Sequence, residues 1–194
     1  MLEHFFGSRT RVTLLKIFFR SPETPLYVRE LARMADIQLN AIRREIANLE
    51  LLRLIKSVPA PADAVTERSK YFCLDMEAPL YQEVQALLIK AELLEEEELI
   101  EEIKTRAGAV SLFILTGVFT HVETDTDILL VGKLKPLVIA KIIKRYEKDT
   151  GRSIRYTLMD EREFQDRREI GDKFLYAIFE AKHTLVVNNK YNLS

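Results

Sequence analysis

Residues 29–52 constrain this chain most. Two segments with helical apolar spacing, Arg29 to Ala35 and about Leu39 to Leu52, are separated only by Asp36-Ile37-Gln38. Leu31, Ala32 and Met34 are the inward candidates of the first segment. Leu39, Ile42, Ile46 and Leu49 recur at i, i+3, i+7 and i+10 in the second, which gives it one apolar face. A three-residue turn leaves no room for a strand or a crossover, so the pair predicts a helix-turn-helix. A further helix precedes it. Ser8 is placed to cap that helix, and Val12, Leu14, Leu15, Ile17, Phe18 and Phe19 give it a buried face. Ser21-Pro22-Glu23-Thr24-Pro25 ends it, and Leu26-Tyr27-Val28 has room only for a small strand.

Beyond residue 52 the chain alternates like β-structure. Leu54 to Val58 and Ser69 to Leu74 predict two strands joined by the proline-containing loop from residue 59. Strands of this kind after a helix-turn-helix form a wing. The order "YVRELARMADIQLNAIRREIANLELLRLI … KYFCLD" makes residues 1–78 resemble the DNA-binding domain of winged-helix transcription regulators of the arsenic-repressor type. The resemblance implies a homodimer reading a palindromic operator in double-stranded DNA.

The outward residues suit that role. With the apolar face of the second helix turned inward, Gln38, Asn40, Arg43, Arg44 and Asn48 are left outside. These are the side-chain types that reach base edges, arginine to guanine and asparagine or glutamine to adenine. Arg29 at the start of the first helix, and Lys56, Arg68 and Lys70 in the wing, are candidate phosphate contacts.

The formal charge of −1 announces no nucleic-acid partner, so any such signal must be local, and the charge distribution suggests two functional units joined by a helix. Residues 4–57 carry +5, residues 79–107 carry −5 and residues 108–194 carry +2. The acidic segment contains no glycine between 79 and 106, and Pro79 suits a first helical position. Leu80, Val84, Leu87, Leu88, Leu93 and Leu94 form an apolar stripe that Leu99, Ile100 and Ile103 extend, with a break in the pattern near Ala91–Glu92. Residues 79–106 are thus expected to be a helical linker and dimer seam. The run Glu95–Glu98 reads as a solvated face.

From residue 107 the pattern becomes strand and helix in alternation. Val110 to Thr116, Asp127 to Gly132 and Ser153 to Met159 predict three strands, and Thr184 to Val187 a fourth. Helices are expected from about Lys135 to Asp149, with Gly151 in the C-terminal cap region, from Asp160 to Arg168, and from Lys173 to Ala181. The sequence of strand, glycine turn, Asp-x-Asp strand, helix and strand over about residues 92–187 resembles the minimal nucleotidyltransferase family. That resemblance implies that Gly117, Asp125 and Asp127 are its vestigial motif. Val118 stands where the family has Ser or Gly, and only Phe119 to Thr124 separate the turn from Asp125. Arg155 and Thr157 hold the expected place of a third carboxylate. Two metal ions need more carboxylate than remains, so the domain is expected to be inactive, with no catalytic residue, metal or cofactor.

The fold class read from the sequence is α+β: a winged helix-turn-helix over 1–78, a helical linker over 79–106 and a small nucleotidyltransferase-like α/β domain over 107–194. The function expected is a homodimeric DNA-binding transcription regulator whose C-terminal domain serves dimerisation, effector sensing or partner binding. An unknown protein or nucleotide effector is open. The alternatives are an active nucleotidyltransferase of antitoxin type using Asp125 and Asp127, or a protein-interaction adaptor. The single Cys73 excludes an internal disulfide framework. No apolar run approaches the ~18 residues a membrane span requires, and the N-terminus lacks the pattern of a signal peptide. A cytoplasmic location is the expectation.

Overall fold

The computed structural model describes residues 2–62 and 69–191, and they divide into two compact units, Met1–Leu93 and Leu94–Ser194.

The first unit begins with a short helix, α1 (Leu2–Phe6), which the sequence pattern does not signal. Helix α2 (Arg9–Arg20) starts where Ser8 accepts a hydrogen bond from the Arg11 N–H at 3.2 Å. Strand β1 (Leu26–Tyr27) leads directly into α3 (Val28–Ala35). Asp36 closes α3 in the left-handed conformation (φ 53°, ψ 47°), a geometry that Asn and Asp tolerate because the short side chain bonds locally. Helix α4 (Leu39–Leu51) then buries Ile42, Glu45, Ile46 and Leu49. Strands β2 (Ile55–Val58) and β3 (Tyr71–Leu74) pair antiparallel, Ile55 opposite Leu74 and Val58 opposite Tyr71. β1 adds to the other side of β3, giving the order β1-β3-β2. Three helices on a small sheet, with the helix-turn-helix leading into a hairpin, is a winged-helix arrangement. Leu14, Leu15, Phe18, Leu31, Ile42, Leu49 and Leu74 form its core. Side chains of this size each contribute roughly 1.5–3 kcal/mol when buried.

Helix α5 (Tyr81–Arg106) is continuous and contributes to both cores: Val84, Leu88 and Ala91 to the first, Leu99 and Ile103 to the second. It differs from expectation in three ways. The helix starts at Tyr81, so Pro79 precedes it and is not its first residue. It does not break near Ala91–Glu92: the helix runs through, and Ala91 is buried in the first core. Leu80, Leu93 and Leu94 are exposed and are not part of a buried stripe.

The second unit is a four-stranded sheet in the order β6-β5-β4-β7. β4 (Gly108–Leu115) pairs antiparallel with β5 (Ile128–Leu134) and with β7 (Thr184–Asn188), while β6 (Tyr156–Met159) pairs parallel with β5. Helix α6 (Pro136–Thr150) makes the crossover from β5 to β6 and ends at Gly151 (φ 69°). Phe113, Leu115, Ile128 and Leu130 face α5 and α6. Leu112, Ile114, Leu129 and Val131 face α7 (Glu161–Glu169) and α8 (Lys173–Glu180). Alternate residues therefore enter opposite cores, and helices on both faces explain why β4 and β5 read as unbroken apolar runs. The third strand starts at Tyr156, so Arg155 lies just before it and not within it. Among the described residues no helix is long and apolar enough to cross a membrane.

Candidate nucleic-acid interface

Helix α4 presents a polar stripe on the side opposite its core residues. Asn40, Arg43, Arg44, Ala47 and Leu51 follow one another along one side of the helix, and all five are exposed, Leu51 at 83%. Gln38 occupies the N-cap position without a capping bond from its side chain, so its amide remains outside. Arg29, the second residue of α3, meets Arg43 and Lys70 along one shallow groove, whose other lining residues are Tyr27, Val28, Leu39 and Ser69. Three cations from α3, α4 and the strand side of the wing thus surround one depression, next to the N-termini of two helices. N-terminal amides and basic side chains together favour an anion such as a phosphate.

The other expected residues behave differently. Asn48 is half-buried, and its amide donates to Glu45 Oε2 at 3.2 Å, so it faces inward and does not belong to the outer stripe. Lys56 is exposed but already paired, its Nζ 2.9 Å from Asp75 Oδ1. The Asp75 hydrogen bond and charge raise the Lys56 ammonium above its usual value. Arg68 lies outside the described residues.

Sequence reasoning missed what holds α4 in place. Glu45 is buried, and it accepts from Ser8 Oγ at 2.9 Å, Arg11 Nε at 2.9 Å and Asn48 Nδ2. Arg11 also donates to the Phe6 carbonyl at 3.1 Å. Burial pushes the Glu45 carboxyl up, but the bonds from Asn48, Ser8 and Arg11 and the arginine charge outweigh it and hold it below the usual carboxylate range. The signal was available: residue 45 belongs to the same helical face as Ile42, Ile46 and Leu49, and an acid on a core face requires partners.

The Gly117–Asp127 region of the second unit is built around one ion pair. The register Ile128 opposite Tyr156 sets Asp127 beside Arg155. Asp127 Oδ1 accepts from the Val118 N–H at 3.0 Å and Arg155 Nη2 at 3.0 Å. Oδ2 accepts from the Arg155 N–H at 2.7 Å and its Nε at 3.1 Å. The Asp127 side chain is 1% exposed and that of Arg155 52%. Burial raises the Asp127 carboxyl, but the bonds from the Arg155 side chain and backbone and from Val118, with the guanidinium charge, outweigh it and hold it below its ordinary value. Gly117 (φ 56°) turns directly over this carboxylate, and a Cβ there would overlap Asp127 Oδ1. Asp125 is exposed, two residues away. Each Asp127 oxygen already accepts two hydrogen bonds, so the donor set does not fit a metal ligand. Among the described residues no three His, Cys, Asp or Glu side chains are grouped to hold a metal.

No family model matches the chain, and no curated protein matches it. Among solved structures, a single-site mutant of S. aureus MepR is 16% identical and overlaps 54% of this chain and 72% of its own, with a TM-score of 0.42. AdcR, an adhesin competence repressor from Streptococcus pyogenes, is 19% identical over 49% of this chain and 66% of its own, TM-score 0.37. Lactococcus lactis ZitR, described as a zinc-responsive MarR family member, is 21% identical over 50% and 64%, TM-score 0.37. At these TM-scores the overlaps assign no family to the chain.

Proposed function

We propose that this chain is a DNA-binding transcription regulator. The observation that carries the proposal is the placement of Asn40, Arg43 and Arg44 on the outer face of α4, beside a groove lined by Arg29, Arg43 and Lys70. In this reading α4 enters the major groove and its N-terminal half meets base edges, with Gln38 at the entry. Arg29 and Lys70 hold the phosphate backbone on the wing side. Lys56 contributes less, because Asp75 already neutralises it.

The regulator acts as a homodimer on a palindromic site. The first unit supports this with a strip on α5: Ala86, Ile89 and Leu93 are exposed at i, i+3 and i+7, on the side away from Val84, Leu88 and Ala91. Ile89 and Leu93 are 53% and 50% exposed. In this reading the second unit keeps a nucleotidyltransferase-like fold without the chemistry, and serves dimerisation, effector sensing or partner binding. Its Asp127 is spent on Arg155, which argues against the antitoxin-type enzyme.

Selection from a random pool of DNA duplexes tests the proposal. Enrichment of a two-fold-symmetric site with half-sites about 10 base pairs apart is the expected result. A pool that stays unenriched after successive rounds would overturn it.

A further inference from the structure

Along the outer stripe of α4 the chemistry changes. Asn40, Arg43 and Arg44 are polar, whereas Ala47 and Leu51 are apolar and exposed. Hydrogen-bonding side chains read donors and acceptors. A methyl group in the same row can read only another apolar group, and the major groove offers one, the C5-methyl of thymine.

Distance decides which of the two residues reaches it. At 1.5 Å per residue, Ala47 stands about 10 Å along the helix from Asn40 and Leu51 about 16 Å. A recognition helix meets base edges with its N-terminal residues, and the major groove is about 12 Å wide. Ala47 lies within that reach, while Leu51, the last residue of α4, lies beyond it. Ala47 is exposed and free to meet a partner, because the α4 core contacts come from Ile42, Ile46 and Leu49. Its shortness lets the backbone of α4 come close to the base pairs between the two arginines and the helix end.

We propose that Ala47 is a specificity-determining residue whose methyl group packs against a thymine C5-methyl in each half-site. The inference rests on the DNA-binding reading and adds a base identity to it.

The test uses the full chain and the duplex it selects. Each thymine is replaced in turn by deoxyuridine, which removes only the C5-methyl and leaves every hydrogen-bonding group in place. The expected result is a three- to tenfold loss of affinity at one or two positions per half-site and none elsewhere. Ala47→Gly should bind the thymine and deoxyuridine duplexes equally. If Ala47→Gly melts early, Ala47→Ser is the second variant, and its polar hydroxyl should likewise reduce the methyl preference. A flat scan on a tightly bound sequence overturns the methyl contact and leaves the DNA-binding reading standing. Deoxyuridine sensitivity undiminished in both variants assigns the methyl to another residue and also overturns it. Failure to select any sequence overturns both.

Discussion

At the scale of single residues, the second unit depends on Asp127. Its carboxylate closes the Gly117 turn through the Val118 N–H and joins β5 to the start of β6 through Arg155. Asp127→Ala leaves the Val118 and Arg155 backbone N–H groups without their acceptor, while the half-exposed Arg155 guanidinium turns to solvent; an unsatisfied buried donor costs roughly 1–3 kcal/mol. Denaturant melts should show a correspondingly lower midpoint for the transition of this unit, and an unchanged midpoint would refute the assignment. The pH dependence has a definite sign. A carboxyl held below its ordinary value adds stability above that value, ~4 for an aspartate, and loses it as the pH falls through the folded-state value. The gap in stability between wild type and Asp127→Asn is therefore full at neutral pH and narrows on acidification below ~4. Glu45 obeys the same rule in the first unit.

At the scale of elements, the two wing lysines separate a paired cation from one in the groove. Lys70→Ala should weaken binding to all duplexes alike and reduce the slope of log K against log salt by about one. Lys56→Ala should change that slope less, because its charge is already matched by Asp75; equal slopes for the two variants would remove the distinction. On α5, Leu93→Glu and Ile89→Glu place charge on the exposed strip. Sedimentation should show dimer for the wild type and monomer for the variants at micromolar concentration. A wild-type monomer, or variants that stay dimeric, would show that the strip is not the seam.

Periodicity made most of these elements readable. The helix-turn-helix, the wing strands and the strand–helix order after residue 107 all follow from apolar spacing and from caps such as Ser8, Gly151 and Asp160. Helix α1 was not readable, because five residues carry no period. The continuity of α5 was hidden by Ala91, whose small side chain weakens the stripe just where it is buried. Asn48 misled because its residue type suits base contact, while its direction is set by Glu45 on the helix face. The Asp127–Arg155 pair joins residues 28 positions apart, and only the parallel register of β5 and β6 brings them together. The sequence showed Arg155 in place of a carboxylate, but not that it reaches back to neutralise the one that remains.

At the scale of the whole molecule, the chain combines the proposed reading head with a second unit in which Asp127, the acid nearest the Gly117 turn, is already satisfied. Phosphoryl transfer depends on metal ions that neutralise developing charge and on backbone amides open to phosphate. Here the Val118 amide donates to Asp127, and both Asp127 oxygens are occupied. Incubation with labelled ATP, CTP, GTP or UTP and magnesium or manganese should transfer no label to the chain or to a co-purified protein. Label transfer that Asp127→Asn abolishes would restore the enzymatic alternative.

The central claim is that the outer face of α4 reads DNA sequence. The measurement closest to it compares the selected duplex with a scrambled duplex at one salt concentration, for wild type and for the Arg43→Ala/Arg44→Ala double variant. Each bidentate arginine–guanine contact discriminates by about 1–3 kcal/mol. The double variant, melting like the wild type, should therefore lose at least tenfold of the specific-to-scrambled affinity ratio. A double variant that keeps the wild-type ratio would contradict the account.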